Sequence, residues 1–240
     1  MDAPAFLRPL AGALQRFVLP FRCLLCGAAG DEGRDLCRDC AHELPRNRIC
    51  CARCALPLPE PAAQCGQCQR RAPPWDAAWV PFRYAWPLDR LESRFKFSAD
   101  LASGRVLSAL WLREPPPSAL PACIVPVPLH AGRLRERGYN QVAELAKALS
   151  RHFGVRWDMS ALTRVRATSA QTELGAPGRR RNVRGAFMAD SRESWPAHVA
   201  LLDDVMTTGA TLAECTRQLK RAGVQRVDVW ALARAPRPGG

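Results

Sequence analysis

Residues 199–211 read Val-Ala-Leu-Leu-Asp-Asp-Val-Met-Thr-Thr-Gly-Ala-Thr, and this is the most informative stretch of the chain. Its apolar start, Val199 to Leu202, is short and continuous, which is typical of a buried parallel strand. The pattern from Ala210 to Ala222 predicts a helix directly after it. The stretch therefore predicts a strand-turn-helix unit of a parallel α/β sheet.

The turn inside this unit has the composition of a phosphate site. It contains hydroxyls and a glycine at the start of the predicted helix, in the order Thr207, Thr208, Gly209, Ala210 and Thr211. Backbone N–H groups and the helix dipole favour a phosphate at such a position. Asp203 and Asp204 precede the turn, and carboxylates can accept hydrogen bonds from ribose hydroxyls or help to hold Mg²⁺ through water. The pattern indicates a site for a phosphorylated sugar, and the alternative is an ordinary turn that uses Asp and Thr as capping residues.

The same stretch closely resembles the phosphoribosyl-pyrophosphate (PRPP) motif of the type I phosphoribosyltransferases. In that family the paired acids bind the ribose 2′- and 3′-hydroxyls, and a Thr-Thr-Gly-x-Thr loop cradles the 5′-phosphate. The resemblance assigns these roles to Asp203 and Asp204 and to the turn at 207–211. One position departs from the hypoxanthine-guanine branch, where an Asp proposed to assist proton transfer stands in place of Thr207. We therefore expect no base at that position.

The charge of the chain indicates an anionic partner. Its 240 residues carry a formal net charge of +13, and 48% of them are hydrophobic, which is ample for a core. Between residues 133 and 184, twelve Lys or Arg residues face four Asp or Glu residues. The positive field is thus concentrated near the phosphate motif, which favours phosphate, pyrophosphate or nucleic acid as a partner.

The chain shows no apolar run of the roughly 18 to 20 residues that a membrane span needs. Residues 3–19 are amphipathic, and we expect residues 1–20 to form a short helix packed on the body of the protein. The sequence has no secretion signal, so the prediction is a cytoplasmic protein without a membrane span.

Eight cysteines form four Cys-x-x-Cys pairs with a repeat of 14 residues. Two such pairs can supply the four thiolates of a tetrahedral zinc site, so the repeat predicts two structural Zn²⁺ ions. The simplest assignment gives the first ion Cys23, Cys26, Cys37 and Cys40. It gives the second ion Cys51, Cys54, Cys65 and Cys68. A crossed assignment of alternate pairs also fits the spacing, and iron–sulfur ligation is a further alternative.

Three cysteines lie outside the repeat. Cys50 is expected to be a spare thiol, while Cys123 and Cys215 lie in apolar segments and are expected in the core. Each Zn(Cys)₄ centre would carry a net charge of −2, so two of them would lower the charge to about +9.

The chain also resembles the ComF family, whose members combine Cys-x-x-Cys pairs with a phosphoribosyltransferase-like domain. The motifs that carry this resemblance occur in the order of that family. They are Lys96-Phe97, Pro126 to Leu129, Arg137 to Gln141, Gln171 with Leu174, Arg180 to Asn182 and Gly185 to Phe187. The family is associated with DNA uptake in natural transformation. The resemblance therefore implies PRPP with Mg²⁺ as ligand, single-stranded DNA as a partner and contact with DNA-uptake proteins.

By position, residues 129–138 correspond to the pyrophosphate loop of the phosphoribosyltransferases, and residues 168–184 correspond to their flexible hood. Arginine suits both segments because its planar guanidinium binds phosphate oxygens in pairs. The candidate pyrophosphate contacts are Arg133, Arg135, Arg137, Arg180 and Arg181. Asn140 and Gln141 are expected either in the site or as the cap and first turn of the next helix.

The predicted architecture is a twisted, mostly parallel α/β sheet with helices on both faces and the ligand at the carboxyl ends of its strands. We expect a double zinc ribbon over residues 21–72 and a phosphoribosyltransferase-like domain over residues 76–240. The last strand, Arg226 to Ala233, is expected near an edge of the sheet. Two functions remain open: a PRPP-binding protein of DNA uptake, and an active phosphoribosyltransferase with an unidentified nitrogen acceptor.

Overall fold

The computed structural model of the protein describes residues 20–117, 119–166 and 176–236. The helix predicted over residues 1–20 and the first part of the predicted hood, up to residue 175, lie outside these ranges, apart from residue 20 itself. Within the described ranges, no helix has the length and apolar character needed to cross a bilayer.

A parallel sheet forms the centre of the protein, and a separate antiparallel pair, β5 and β6, lies outside it. In chain order the strands are β1 (Ala78–Trp79), β2 (Phe82–Arg83), β3 (Cys123–Pro126), β4 (Arg156–Trp157), β5 (Leu162–Arg164), β6 (Phe187–Ala189), β7 (His198–Met206) and β8 (Arg226–Arg234). The order across the parallel sheet is β1-β8-β7-β3-β4, and β2 also pairs with β8. Parallel strands place their carboxyl ends at one edge, where ligands bind in open α/β sheets.

Helices cover both faces of this sheet. In chain order they are α1 (Arg38–His42), α2 (Gly66–Arg70), α3 (Leu88–Phe97), α4 (Leu101–Trp111), α5 (Ala131–Arg137), α6 (Gln141–Phe153), α7 (Ala176–Val183) and α8 (Ala210–Arg221). The predicted fold class, a mostly parallel α/β sheet flanked by helices with a cysteine-rich N-terminal module, is confirmed.

Alternate residues of β7 enter two different hydrophobic clusters. Val199 and Leu201 pack with the apolar face of α8, whereas Ala200 and Leu202 pack with α3, α4 and α6. Successive side chains of a strand point to opposite faces, so a strand buried on both faces must be apolar at every position. This requirement explains the continuous apolar run at the start of β7.

Two elements differ from the predictions. Strand β7 continues to Met206, so the two aspartates belong to the strand and do not follow it. Strand β8 lies next to the edge as expected, between β7 and the two-residue strands β1 and β2. Residues 131–137, compared above with a loop, form α5, a short helix that ends at Gly138 in the left-handed conformation, with φ of 79°.

The two cysteine modules pack on different parts of the body. Cys23 and Leu36 of the first module join the cluster that contains α3 and α4. The second module, from Cys51 to Cys68, and the following Trp75 join the cluster that contains α8. The second module therefore packs on the side of the sheet where β7 leads into α8.

Candidate functional site

The turn between β7 and α8 places a glycine and a threonine hydroxyl directly before a helix N-terminus. Gly209 precedes the first residue of α8 and adopts φ of 71°, a left-handed conformation that favours glycine. The hydroxyl of Thr208 accepts a hydrogen bond from the backbone N–H of Ala210 at 3.3 Å. The first amides of a helix lack partners within the helix, so α8 directs its donors and its dipole at this turn.

The two aspartates before the turn lie in different surroundings. Asp204 is 6% exposed, and its Oδ2 forms an ion pair with Lys96 Nζ at 2.9 Å and accepts a hydrogen bond from Gln141 Nε2 at 2.8 Å. Asp203 is half-buried, and its electrostatic neighbours include Arg164 and Cys215. The carboxylates thus lie on opposite faces of the sheet at its carboxyl end, as the alternation of a strand demands.

Lys96 connects Asp204 to a second buried carboxylate. Its Nζ lies 2.8 Å from Oε1 of Glu92, one turn earlier on α3, and Glu92 is only 2% exposed. One ammonium group therefore faces two carboxylates in a buried site. A buried charge is stable only when it is paired and hydrogen-bonded, so this cluster ties α3 to the end of β7.

The pKa values of the three carboxyl groups at this site are shifted in different directions. Burial would raise the pKa of Asp204, but Lys96 and Gln141 outweigh it and hold that pKa below its usual range. Burial and the charge of Asp204 raise the pKa of Asp203 well above its usual value. Burial, followed by repulsion from Asp204, raises the pKa of Glu92 to about 7, although Lys96 opposes both. Lys96 and Gln141 therefore favour the ionised form of Asp204, whereas burial disfavours the ionised forms of Asp203 and Glu92.

One arginine of α5 reaches this cluster through a glutamine. Arg137 donates a hydrogen bond to Oε1 of Gln141, whose amide group donates to Asp204. Burial lowers the pKa of Arg164, and the nearby positive charge of Arg133 lowers it further. Arg135 is exposed on α5.

The other two candidate arginines belong to α7. Arg181 is exposed, and the side chain of Arg180 lies outside the described part of the structure. The pyrophosphate role of these five arginines stays a prediction.

Sequence reasoning missed part of this site. Asn140 does cap α6, with its side chain accepting from the backbone N–H of Val142 at 3.0 Å, and Gln141 is in the first turn as expected. Gln141 is nevertheless also part of the site, because its side chain reaches Asp204. Lys96 stood out only in the Lys96-Phe97 pair, and nothing in the local sequence pointed to its contact with β7.

The second cysteine module directly contacts the turn at residues 207–211, called the phosphate turn after the role predicted for it. The guanidinium of Arg234 donates to the carbonyl of Cys54 at 3.1 Å, and it also donates to the carbonyls of Met206, at 2.8 Å, and Thr207. Arg234 thus joins the module to the end of β7 and to the first residue of the turn.

A tryptophan adds a second contact between the module and the turn. A Cβ added at Gly209 would lie 2.8 Å from the ring of Trp75. The indole N–H of Trp75 donates to the carbonyl of Arg53 at 2.6 Å, so the ring is fixed by the module as well. Gly209 is therefore required for two reasons, its positive φ and the close approach of this ring.

The eight repeat cysteines form the two groups expected from the simplest assignment. Within each group, the four sulfur atoms lie within 4.8 Å of one another, and the described residues show no crossed grouping. The Sγ atoms of Cys26 and Cys37 are 3.6 Å apart, and those of Cys54 and Cys65 are 3.7 Å apart. Four thiolates at about 2.3 Å from a tetrahedral ion stand about 3.8 Å from one another, so both groups fit Zn²⁺.

Backbone amides favour the thiolate form of one of these cysteines. Burial would raise the pKa of Cys23, but hydrogen bonds from the backbone of Cys37 and Cys26 lower it to about 6. The other three cysteines of the chain lie outside both groups. Cys123 and Cys215 are buried in the core, as expected, and Cys50 is half-buried.

Known proteins are similar both to the cysteine-rich module and to most of the chain. Residues 14–69 match the family described as the double zinc ribbon domain. Competence protein F of Haemophilus influenzae is 36% identical over 224 residues, which cover 90% of this chain and 97% of that protein. DNA utilization protein YhgH of Escherichia coli strain K12 is 39% identical over 171 residues, or 69% of this chain and 75% of that protein. Competence protein ComFC of Streptococcus pneumoniae is 28% identical over 153 residues, or 64% of this chain and 66% of that protein.

The raised pKa of Glu92 predicts a dependence of stability on pH. The unfolded chain loses this proton near pH 4.5 and the folded chain near pH 7, so the stabilising contribution present below pH 4.5 is lost as pH rises through 7. The Glu92→Gln variant has no carboxyl group to ionise at this position, so it should not lose this stability. The difference in free energy of unfolding, variant minus wild type, should therefore increase between pH 5 and pH 8, by at most about 3 kcal/mol. Urea unfolding at several pH values measures the difference.

Glu144→Gln is the matched control, because Glu144 also pairs with a lysine, at 2.6 Å, but on an exposed helix face. Its difference from wild type should stay flat across the same range. A difference between Glu92→Gln and wild type that does not change with pH would contradict the assignment.

The contacts of Arg234 and Trp75 predict that metal at the second cysteine group stiffens the phosphate turn. Cys65→Ser should remove one of two bound zinc ions and increase hydrogen–deuterium exchange at residues 206–211, because the carbonyl of Cys54 that anchors Arg234 belongs to that group. Cys26→Ser should remove the other ion and leave exchange at the turn unchanged. Equal exchange at the turn in both variants, or a zinc content other than two per wild-type chain, would contradict the prediction.

Proposed function

The chain belongs to the competence protein F family, and on that premise we propose that it is a ligand-binding protein of DNA uptake. It binds PRPP together with Mg²⁺ at the carboxyl end of β7, and it binds single-stranded DNA on the basic surface beside that site. The names of its relatives, competence protein and DNA utilization protein, support the cellular role. The ligands are our proposal from the geometry of the site.

One observation carries the PRPP proposal, namely the fixed and ionised Asp204 directly before a hydroxyl-rich turn at a helix N-terminus. The turn at 207–211 offers amides, hydroxyls and the dipole of α8 to a 5′-phosphate. Asp204 accepts from Lys96, Gln141 and the backbone N–H of Val205, which leaves about one of the four acceptor positions of an ionised carboxylate. Asp203, half-buried at the same carboxyl end of β7, is the second acceptor for the sugar hydroxyls.

Mg²⁺ would be held mainly by the pyrophosphate of the ligand, with the aspartates acting through water. This division suits a small, hard cation that keeps most of its hydration shell and takes only one or two carboxylates. The metal would supply charge neutralisation for the pyrophosphate, and the arginines of α5 would share that task.

We propose that the site holds its ligand without a dedicated proton-transfer group at the turn. Thr207 occupies the position at which a carboxylate would serve as base, and a threonine hydroxyl is not ionised at neutral pH. The neighbouring Asp204 is fixed as an anion by Lys96. Ligand binding, and not transfer of the phosphoribosyl group, is therefore the function that the site supports best.

The charge of the surface beside the site supports DNA binding. Exposed arginines occur on α5, on α7 and directly after α7, namely Arg135, Arg181 and Arg184, within the segment from 133 to 184 that carries an excess of eight positive charges. A single strand is a polyanion, and its binding to such a surface releases counterions. The affinity should therefore fall steeply as salt increases.

Isothermal titration tests the PRPP site. We expect the protein to bind PRPP in the presence of Mg²⁺, and we expect Asp204→Asn to weaken that binding about 10-fold or more, because it removes charge-assisted hydrogen bonds to the sugar. Thr208→Val should also weaken it, through loss of one hydroxyl, and this variant leaves the buried ion pair intact.

Asp190→Asn is the control, since Asp190 is a carboxylate that pairs with Arg192 away from the turn. Its affinity for PRPP should equal that of wild type. The proposal is contradicted if wild type shows no heat of binding when titrated with PRPP. It is also contradicted if all the variants bind PRPP with the affinity of wild type.

A further inference from the structure

Phe97 is an aromatic side chain that the fold leaves in solvent at the end of α3. It is 75% exposed, the highest value among the large hydrophobic side chains that the structure describes. Its neighbour Lys96 points into the buried cluster at the end of β7. The ring therefore lies beside the proposed sugar site and has no role in the core.

A guanidinium group covers the ring of Phe97. The Cζ atom of Arg137 lies 5.6 Å from the ring centroid, within the range of a cation–π contact. Arg137 also donates to Gln141, which in turn donates to Asp204. The guanidinium is thus held in place by the same network that fixes the carboxylate.

The other aromatic rings near these arginines are engaged elsewhere. Tyr139 packs against Phe95 with ring centroids 5.6 Å apart, and its hydroxyl donates to the carbonyl of Phe95. Phe187 is 3% exposed and lies under Arg164. At this end of the described structure, Phe97 is the ring with an open surface next to an oriented arginine.

We infer that Phe97 and Arg137 form a stacking site for an unpaired nucleobase, which rests on the proposed binding of single-stranded DNA. A nucleobase is flat and has a π face that stacks on phenylalanine and on a guanidinium plane alike. The backbone phosphates next to a stacked base are attracted by Arg133 and Arg135 on the same helix. An apolar protein segment suits this place less well, because the ring is bordered by charged guanidinium groups.

Paired oligonucleotides test the inference. Fluorescence anisotropy would compare a labelled oligothymidylate with an abasic oligomer of equal length, which has the same phosphates and no bases. We expect Phe97→Ala to weaken oligothymidylate binding about 10-fold, as is usual for loss of one stacking residue, and to leave abasic binding unchanged. Phe97→Tyr should restore the affinity, because its ring also stacks.

The salt dependence separates stacking from charge. Phe97→Ala should lower the affinity without changing its slope against salt, since the substitution removes no charge. Trp86→Ala is the control, because Trp86 is 61% exposed but borders the cleft beside the first cysteine group. Its affinity for both oligomers should equal that of wild type. PRPP binding by Phe97→Ala should also be unchanged.

Two outcomes would overturn the inference in different ways. Equal effects of Phe97→Ala on both oligomers, or an unchanged affinity for oligothymidylate, would exclude base stacking at Phe97 while the proposed DNA binding stands. Failure of the unsubstituted protein to bind either oligomer would contradict the proposed DNA binding together with this inference.

Discussion

The ion pair between Lys96 and Asp204 is the interaction on which the site depends. A carboxylate that is 6% exposed at the end of a parallel strand needs a counter-charge, and Lys96 supplies it at 2.9 Å. Loss of one partner of a buried pair costs about 3–5 kcal/mol, so the pair fixes α3 against the sheet. Gln141 does the same for α6 through its bond to the same oxygen. The geometry around the proposed sugar site thus follows from the burial of one aspartate.

The phosphate turn is held from its other side by the cysteine-rich module. Arg234 links the carbonyl of Cys54 to those of Met206 and Thr207, and Trp75 packs against Gly209. A short polar turn cannot bury enough apolar surface to fix its own conformation, so neighbouring elements must do so. The second zinc group therefore has a structural role for the turn as well as for its own module, whereas the first group packs on α3 and α4.

The parts of this structure that depend on local sequence could be predicted, and the parts that depend on distant contacts could not. The spacing of the cysteines predicts two four-cysteine sites but leaves their pairing open, and the strand, turn and helix around residues 199–211 follow from local pattern. The contacts of Lys96, Trp75 and Arg234 join segments that are far apart in the chain, and no periodicity encodes them. The irregular alternation of β8 was interpreted as a sign of a position near the edge, but its cause is burial. Both faces of that strand are buried, and such a strand has no need to alternate.

A crystal structure of the protein with PRPP and Mg²⁺ would show whether the turn after β7 holds the ligand. We expect the 5′-phosphate to lie against the amides and hydroxyls of residues 207–211 and the ribose hydroxyls to face Asp203 and Asp204, with Lys96 still paired to Asp204. A ligand found only on the arginines of α5, or a turn that stays empty at saturating PRPP, would contradict this expectation.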